Sequence, residues 1–169
     1  MSKPTYVLLP GAWHSPDIYK DVVDSLAKHG YPAISLRLPS FDATPAHYDF
    51  SADVAAIRTC LDELVSQDKD VILVVHSYAG LPGGEATRDL GKKEREAQGL
   101  KGGIIRYVVI NGFVAPPGFQ PAPRGDYSTM PEWMKFDLEV SKHTDTPSPP
   151  PTPLTPSTNP HPPFSRPTQ

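Results

Sequence analysis

The sequence predicts an α/β protein built on a parallel sheet of about four strands with flanking helices. Short apolar runs of strand length alternate with longer segments whose apolar residues recur at helical spacing. The run VILVV at 71–75 is apolar at every position, which is typical of a parallel strand buried on both faces. The order strand, helix, strand, helix, strand, helix, strand favours right-handed crossovers within one sheet.

The first strand and helix are predicted at the start of the chain. YVLLP at 6–10 forms a buried strand that Pro-Gly ends. Ser15 is a good N-cap with Pro16 at the first helical position, and Gly30 is a good C-terminal stop. The predicted apolar face of this helix comprises Ile18, Val22 and Leu26, with Val23 beside them.

The remaining elements follow the same alternation. PAISLRLP at 32–39 predicts the second strand, and 40–50 a polar loop. A helix then begins at a Ser51 cap. Its apolar positions are Val54, Ile57, Leu61 and Leu64. After the third strand, 81–99 predicts a weaker helix that contains glycines, and GGIIRYVVINGF at 102–113 predicts the fourth strand.

Proline separates the predicted domain from a tail. Ten of the 22 prolines lie in 144–169, a stretch with few large apolar residues. Such a segment cannot bury enough surface to offset its ordering entropy, so a disordered, partly polyproline-II tail is expected. The folded domain is expected at 1–143, with MPEWMKFDLEV at 130–140 forming a helical turn or two. The tail is also a candidate ligand for SH3 or WW domains, although PPPTPLTP lacks a flanking basic residue.

Composition excludes several classes of function. A net charge of -3 and a pI near 6.0 give no reason to expect a nucleic-acid or anionic-membrane partner. No apolar run approaches the ~20 residues of a membrane span, and the N-terminus lacks a signal-peptide layout. The single cysteine, Cys60, is expected to be a buried, inert thiol. Phosphate-binding glycine motifs are absent, so nucleotide binding is not expected. Without a signal peptide or membrane span we expect a cytoplasmic protein, and we expect neither cofactor nor metal.

HSYAG delivers Ser77 to a sharp turn between the third strand and the next helix. A side chain at such a tip lies above the carboxyl edge of the sheet, over the positive end of the helix. In the usual pattern, G-x-S-x-G, the residues two positions before and after the serine are small. Ala79 meets this rule and Val75 meets it poorly. A helix-capping serine is the alternative interpretation. His76 is interpreted as structural, because neighbouring strand residues point to opposite faces.

A turn of small residues follows the first strand at 10–15, PGAWHS. Such a turn can direct backbone N–H groups into a crevice. If the strand order reverses at the first strand, this turn and Ser77 lie side by side at the switch point, where open α/β sheets bind ligands. Trp13 and His14 are therefore candidates to line the mouth of a pocket, or else a packed indole and a surface histidine.

The segments LLPGAWHSPDIY, YPAISLRLPS and VILVVHSYAGLPGGEA together resemble the α/β-hydrolase superfamily. They look most like its small esterase and lyase-like members, which include a large fungal group. The resemblance covers about residues 4–135 and implies that Ser77 is a nucleophile at a nucleophile elbow. It also implies an oxyanion hole formed by the backbone N–H groups of Ala12 and Tyr78, and the spatial strand order second, first, third, fourth.

The resemblance further implies an acid and then a histidine later in the chain. No strand-like run with a trailing aspartate follows residue 114. The available residues belong to loop, cap-like or tail segments: Asp126, Asp137, Asp145, His143 and His161. A pair formed by Asp137 and His143 would respect the chain order but would lack a supporting strand. We therefore expect a truncated chain with the front half of the fold, in which WMKFDLEV resembles the start of lid helices.

The sequence thus favours a serine hydrolase for an ester, lactone or similar small acyl substrate, impaired to the extent that the acid and histidine are missing. The alternative is a non-catalytic remnant that binds small molecules or partners. Without later strands, the strand at 104–110 would be an open apolar edge. Because such edges recruit partner strands, marginal stability and self-association through this edge are expected.

Overall fold

The computed structural model describes residues 2–47 and 49–116. Four parallel strands form one sheet: β1 (Thr5–Leu9), β2 (Ala33–Ser35), β3 (Asp70–His76) and β4 (Gly103–Ile110). Their spatial order is β2-β1-β3-β4, which confirms the predicted fold class and strand order. The chain therefore reverses direction across the sheet at β1, and the carboxyl ends of β1 and β3 are neighbours. The predicted boundary at 143, the tail and the 130–140 helix lie outside the described residues.

Four helices connect the strands: α1 (Lys20–Lys28), α2 (Ser51–Ser66), α3 (Gly80–Ala86) and α4 (Lys92–Ala97). Short 3₁₀ turns precede α1 at Pro16–Tyr19 and α3 at Ser77–Ala79. Along the described part of the chain, no helix is long and apolar enough to cross a membrane.

The main core lies between the sheet and α2. Its fully buried side chains are Val7, Leu9, Ile57, Leu61, Val71, Leu73 and Val75. Burying each contributes about 1.5–3 kcal/mol relative to exposure, so the α2 stripe and the alternate positions of β1 and β3 hold this layer together. The helical spacing predicted for α2 is thus confirmed, with Val54 packed at the margin. Cys60 is half-buried, and burial raises the pKa of its thiol.

The apolar face predicted for the first helix is wrong in part. Ser15 does cap the 3₁₀ turn by accepting from the Asp17 N–H at 3.2 Å. However, Ile18 and Val22 are both 44% exposed. The half-buried positions are Tyr19, Val23 and Leu26. The helix is therefore rotated about one residue from the predicted stripe, because the 3₁₀ turn at its start changes the angular spacing.

Four predicted boundaries also differ. The fourth strand ends at Ile110 and not at 113. The second strand ends at Ser35 and not at 39, because the chain turns inward after Leu36 to bury Leu38. Ser51 is the first helical residue and not the cap; its N–H donates to the Asp49 carboxylate at 2.9 Å. The helix predicted over 81–99 is two helices. They separate where Asp89 adopts a φ of 62°, which turns the buried Leu90 toward the sheet.

The predicted self-association depends on the outer edge of β4. Within the described residues, β4 pairs with β3 along its length and otherwise only through a single bridge from Gly91 to Ile104. Val108 and Ile110 are 39% and 48% exposed. A strand edge that has no partner in this range, with apolar side chains beside it, is a candidate template for a second strand.

We expect the chain to associate with itself through β4 and expect Val108→Lys to weaken that association. A lysine on an edge strand opposes the addition of a further strand, so the dissociation constant should rise about tenfold. Sedimentation velocity over a concentration series measures it. Val114→Lys is the matched control, since Val114 is 76% exposed and lies beyond the strand. Equal behaviour of the two variants would locate the association elsewhere.

Candidate active site

The turn between β3 and α3 holds Ser77 in an unusual backbone conformation. β3 ends at His76, and Ser77 opens the 3₁₀ turn with a φ of 53°. A residue with a β-carbon pays about 1–2 kcal/mol for this left-handed region. The side chain is half-buried and so does not lie in the hydrophobic interior. Strain of this kind at a strand-to-helix turn is the backbone signature of a nucleophile elbow.

The turn after β1 lies against this serine. A β-carbon placed on Gly11 would be 3.0 Å from the Ser77 Cβ and 2.9 Å from the His76 Nδ1. Glycine allows this approach without displacing a neighbouring side chain, and the approach brings the start of the first β–α connection to the elbow. Ala12 follows and is half-buried. The structure thus brings together the two turns that the sequence singled out.

Trp13 and His14 lie further out on the same connection. Trp13 is 74% exposed with a φ of 63°, and His14 is exposed with its Nδ1 2.8 Å from the Ala12 carbonyl oxygen. The ring centroids of His14 and His76 are 6.4 Å apart in an edge-to-face arrangement. The His76 Nδ1 is buried and has no hydrogen-bond partner in the described part of the chain. Both histidines therefore border the elbow.

The residues that follow β4, Gly112 and Phe113, pack against the elbow from the other side. The N–H of Phe113 donates to the Ser77 carbonyl at 3.1 Å. A β-carbon on Gly112 would lie 3.0 Å from the Ser77 nitrogen, and one on Gly80 would overlap the Phe113 carbonyl oxygen. Sequence reasoning missed both glycines. The GL and NG dipeptides offered a signal only for turns, because the contact joins distant parts of the chain.

Two tyrosine hydroxyls form hydrogen bonds near the elbow, one from the elbow residue Tyr78 and one to the first residue of α3, Gly80. The Tyr78 hydroxyl donates to the Asp53 Oδ2 at 2.6 Å, and the Tyr107 hydroxyl donates to the Gly80 carbonyl at 2.9 Å. Burial, and for Tyr78 also the hydrogen bond to Asp53, raises the pKa of both phenols, that of Tyr107 to about 12. Both phenols are therefore protonated donors at neutral pH.

Asp53 is a second feature that sequence reasoning missed. It is fully buried in the first turn of α2, and it also accepts from the Ser40 N–H at 2.8 Å and from the Ser40 hydroxyl at 2.6 Å. These donors satisfy a carboxylate that would otherwise be costly to bury. The available signal was an aspartate next to the apolar stripe that begins at Val54.

No hydrogen bond to the Ser77 hydroxyl is found among the described residues. The acid and histidine candidates lie outside the described range; they are Asp126, Asp137, His143, Asp145 and His161. The same described residues contain no group of three or more His, Cys, Asp or Glu side chains that could hold a metal ion.

Comparison with known proteins agrees with this geometry. The parallel sheet, with a serine of positive φ at the strand-to-helix turn after its third strand in sequence, is typical of α/β-hydrolase folds. A model described as "Alpha/beta hydrolase family" matches residues 6–167, and the chain belongs to this family.

Two curated fungal proteins are similar over the same part of the chain. The alpha/beta hydrolase nvfD of Aspergillus novofumigatus is 32% identical over 118 residues, covering 70% of this chain and 46% of that protein. The probable hydrolase R7 of a Phoma species is 29% identical over 121 residues, with the same coverages. The chain therefore spans about half the length of the curated relatives it matches.

Two solved structures share the fold. Tomato methylketone synthase I in complex with 2-tridecanone has a TM-score of 0.54 at 21% identity, covering 69% of this chain and 43% of that one. A mutant of polyneuridine aldehyde esterase has the same TM-score and coverages at 17% identity. At these identities the likeness concerns the fold alone.

Proposed function

We propose that Ser77 is the nucleophile of a hydrolase that acts on esters, lactones or similar acyl substrates. The observation that carries the proposal is the left-handed φ of 53° at a half-buried serine on the strand-to-helix turn. That conformation costs free energy and serves to project the hydroxyl above the sheet edge. Family membership and the contact of Gly11 with Ser77 support the same conclusion.

The reaction would proceed through an acyl-enzyme. The Ser77 oxygen attacks the carbonyl carbon as its proton passes to a base, and the carbonyl electron pair moves onto oxygen. In this proposal the backbone N–H groups of Ala12 and Tyr78 donate to that oxyanion. Collapse expels the alcohol, which takes up the proton, and water then releases the acid. Trp13 and His14 would border the substrate at the pocket mouth.

The strength of this activity depends on a base. A serine hydroxyl needs a base within hydrogen-bond reach, and a carboxylate that orients it. Without both, the elbow and its amides would retain only a small part of the rate. A chain so impaired would keep the floor of the site and act as a small-molecule binding protein, which is the competing function.

A fluorophosphonate probe distinguishes the two functions. We expect the purified chain to be labelled at Ser77 and Ser77→Ala to remain unlabelled, because only an activated serine reacts with such a probe. Ser66→Ala is the control, as its hydroxyl bonds locally to the Glu63 carbonyl at the end of α2. Intact-mass spectrometry gives the stoichiometry and circular dichroism the folded state. A folded wild-type chain without label would establish the non-catalytic alternative.

A further inference from the structure

The Asp53 carboxylate joins three segments from two connections, those between β2 and β3 and between β3 and β4. It lies in α2, its Ser40 donors lie in the segment after β2, and its Tyr78 donor lies in the elbow. The carboxylate is fully buried, and its three hydrogen bonds are between 2.6 and 2.8 Å. Hydrogen bonds to an ionised acceptor are short and roughly twice as strong as neutral ones.

The tethered residue is the one that follows the nucleophile. The Tyr78 ring is half-buried against the core, and its hydroxyl is held at its far end. A side chain fixed at both ends restricts the backbone from which it projects. The amide of residue 78 belongs to that backbone. An oxyanion donor must keep its position to within about 0.5 Å and its direction to within about 10–20° to be effective.

We propose that Asp53 is a positioning residue for the oxyanion donor: by holding the Tyr78 phenol, it orients the Tyr78 backbone N–H toward the reacting oxygen. The proposal rests on the proposed function for its catalytic consequence. Its physical content, that Asp53 orders the amide of residue 78, is independent of that function. Ser40 fixes the carboxylate from the other side and so completes the positioning set.

Removing the Tyr78 hydroxyl alone tests this role. Tyr78→Phe keeps the packed ring and deletes the tether. With the fluorophosphonate probe, we expect the maximal labelling rate to fall about tenfold while the half-saturating probe concentration stays unchanged, because the donor acts in the transition state. Tyr107→Phe is the matched control: it deletes a phenol bond of similar length to the elbow, but on the Gly80 carbonyl. We expect it to change the rate by less than about twofold.

A second measurement separates this proposal from the proposed function. In Tyr78→Phe, the ¹⁵N order parameter of amide 78 should fall from about 0.85 toward about 0.6, and in Tyr107→Phe it should not. Asp53→Asn can accept from the Ser40 N–H with its oxygen and donate from its amide nitrogen to the Tyr78 hydroxyl. It should keep the labelling rate within about threefold of wild type and the order parameter of amide 78 at about 0.85, whereas Asp53→Ala should lose both.

The outcomes are decisive in each case. An amide that loosens only in Tyr78→Phe supports the tether even if no chain is labelled, in which case the proposed function alone fails. Equal effects of the two phenol variants on rate and order overturn the proposal. An unchanged amide order in Tyr78→Phe overturns it as well, whatever the labelling shows.

Discussion

Replacing Ser77 by glycine is expected to abolish labelling and, at the same time, to raise the free energy of unfolding by about 1 kcal/mol. Glycine has no β-carbon and adopts a φ of 53° without the cost that serine pays. The entropy that glycine gains in the unfolded chain offsets part of this relief. Function and stability would therefore change in opposite directions at one residue.

Ser77→Ala is the control for this result. Alanine lacks the hydroxyl but keeps the β-carbon, so it should lose labelling without gaining stability. Urea denaturation followed by circular dichroism measures the free energies of unfolding of all three chains. If the glycine variant is no more stable than the alanine variant, the strain at residue 77 does not exceed the entropy that glycine gains in the unfolded chain, and the expected rise in stability is refuted.

Replacing Gly80 by alanine is expected to destabilise the fold by about 3 kcal/mol. The added β-carbon would overlap the Phe113 carbonyl oxygen and lie 3.1 Å from the Phe113 carbonyl carbon and nitrogen. These are backbone atoms, so no side-chain rotation can relieve the overlap. The end of β4 or the start of α3 must move, and the Phe113 bond to the Ser77 carbonyl would be strained with it.

Gly84→Ala offers a matched comparison within the same helix. A β-carbon there meets only the Tyr107 hydroxyl at 3.7 Å, an ordinary contact, and alanine is the better helix former. We expect Gly84→Ala to raise stability by up to about 1 kcal/mol. Thermal and urea unfolding compare the two variants. A Gly80→Ala chain as stable as wild type would mean that β4 does not press on the elbow.

The sheet was predictable because its signal is local. A strand buried on both faces must be apolar throughout, and β3 satisfies that rule within one short run. The position of Ser77 at the end of this run follows directly, as does the turn after β1. Alternation of strands and helices then restricts the topology to few arrangements. The order β2-β1-β3-β4 followed from the resemblance and is confirmed.

Helix faces and ends were less predictable because weak forces decide them. The rotation of α1 depends on one 3₁₀ turn, which the spacing of Ile18 and Val22 does not reveal. The break after α3 depends on the left-handed backbone conformation of Asp89. Aspartate can adopt this conformation, but its presence in a sequence does not predict it. In both places the sequence permits several structures of similar energy, and contact with the sheet selects one.

By itself the sequence determined the class of fold, the placement of a serine at the tip of a buried strand, and a glycine turn able to approach it. The tertiary structure alone decided how that serine is held. Asp53 accepts a hydrogen bond from Tyr78, which is 25 residues away in the chain. Gly80, which follows β3, packs against the backbone of Phe113, which follows β4. Local periodicity records which residues prefer burial, whereas the pairing of a buried carboxylate with its donors depends on contacts that exist only once the sheet has formed.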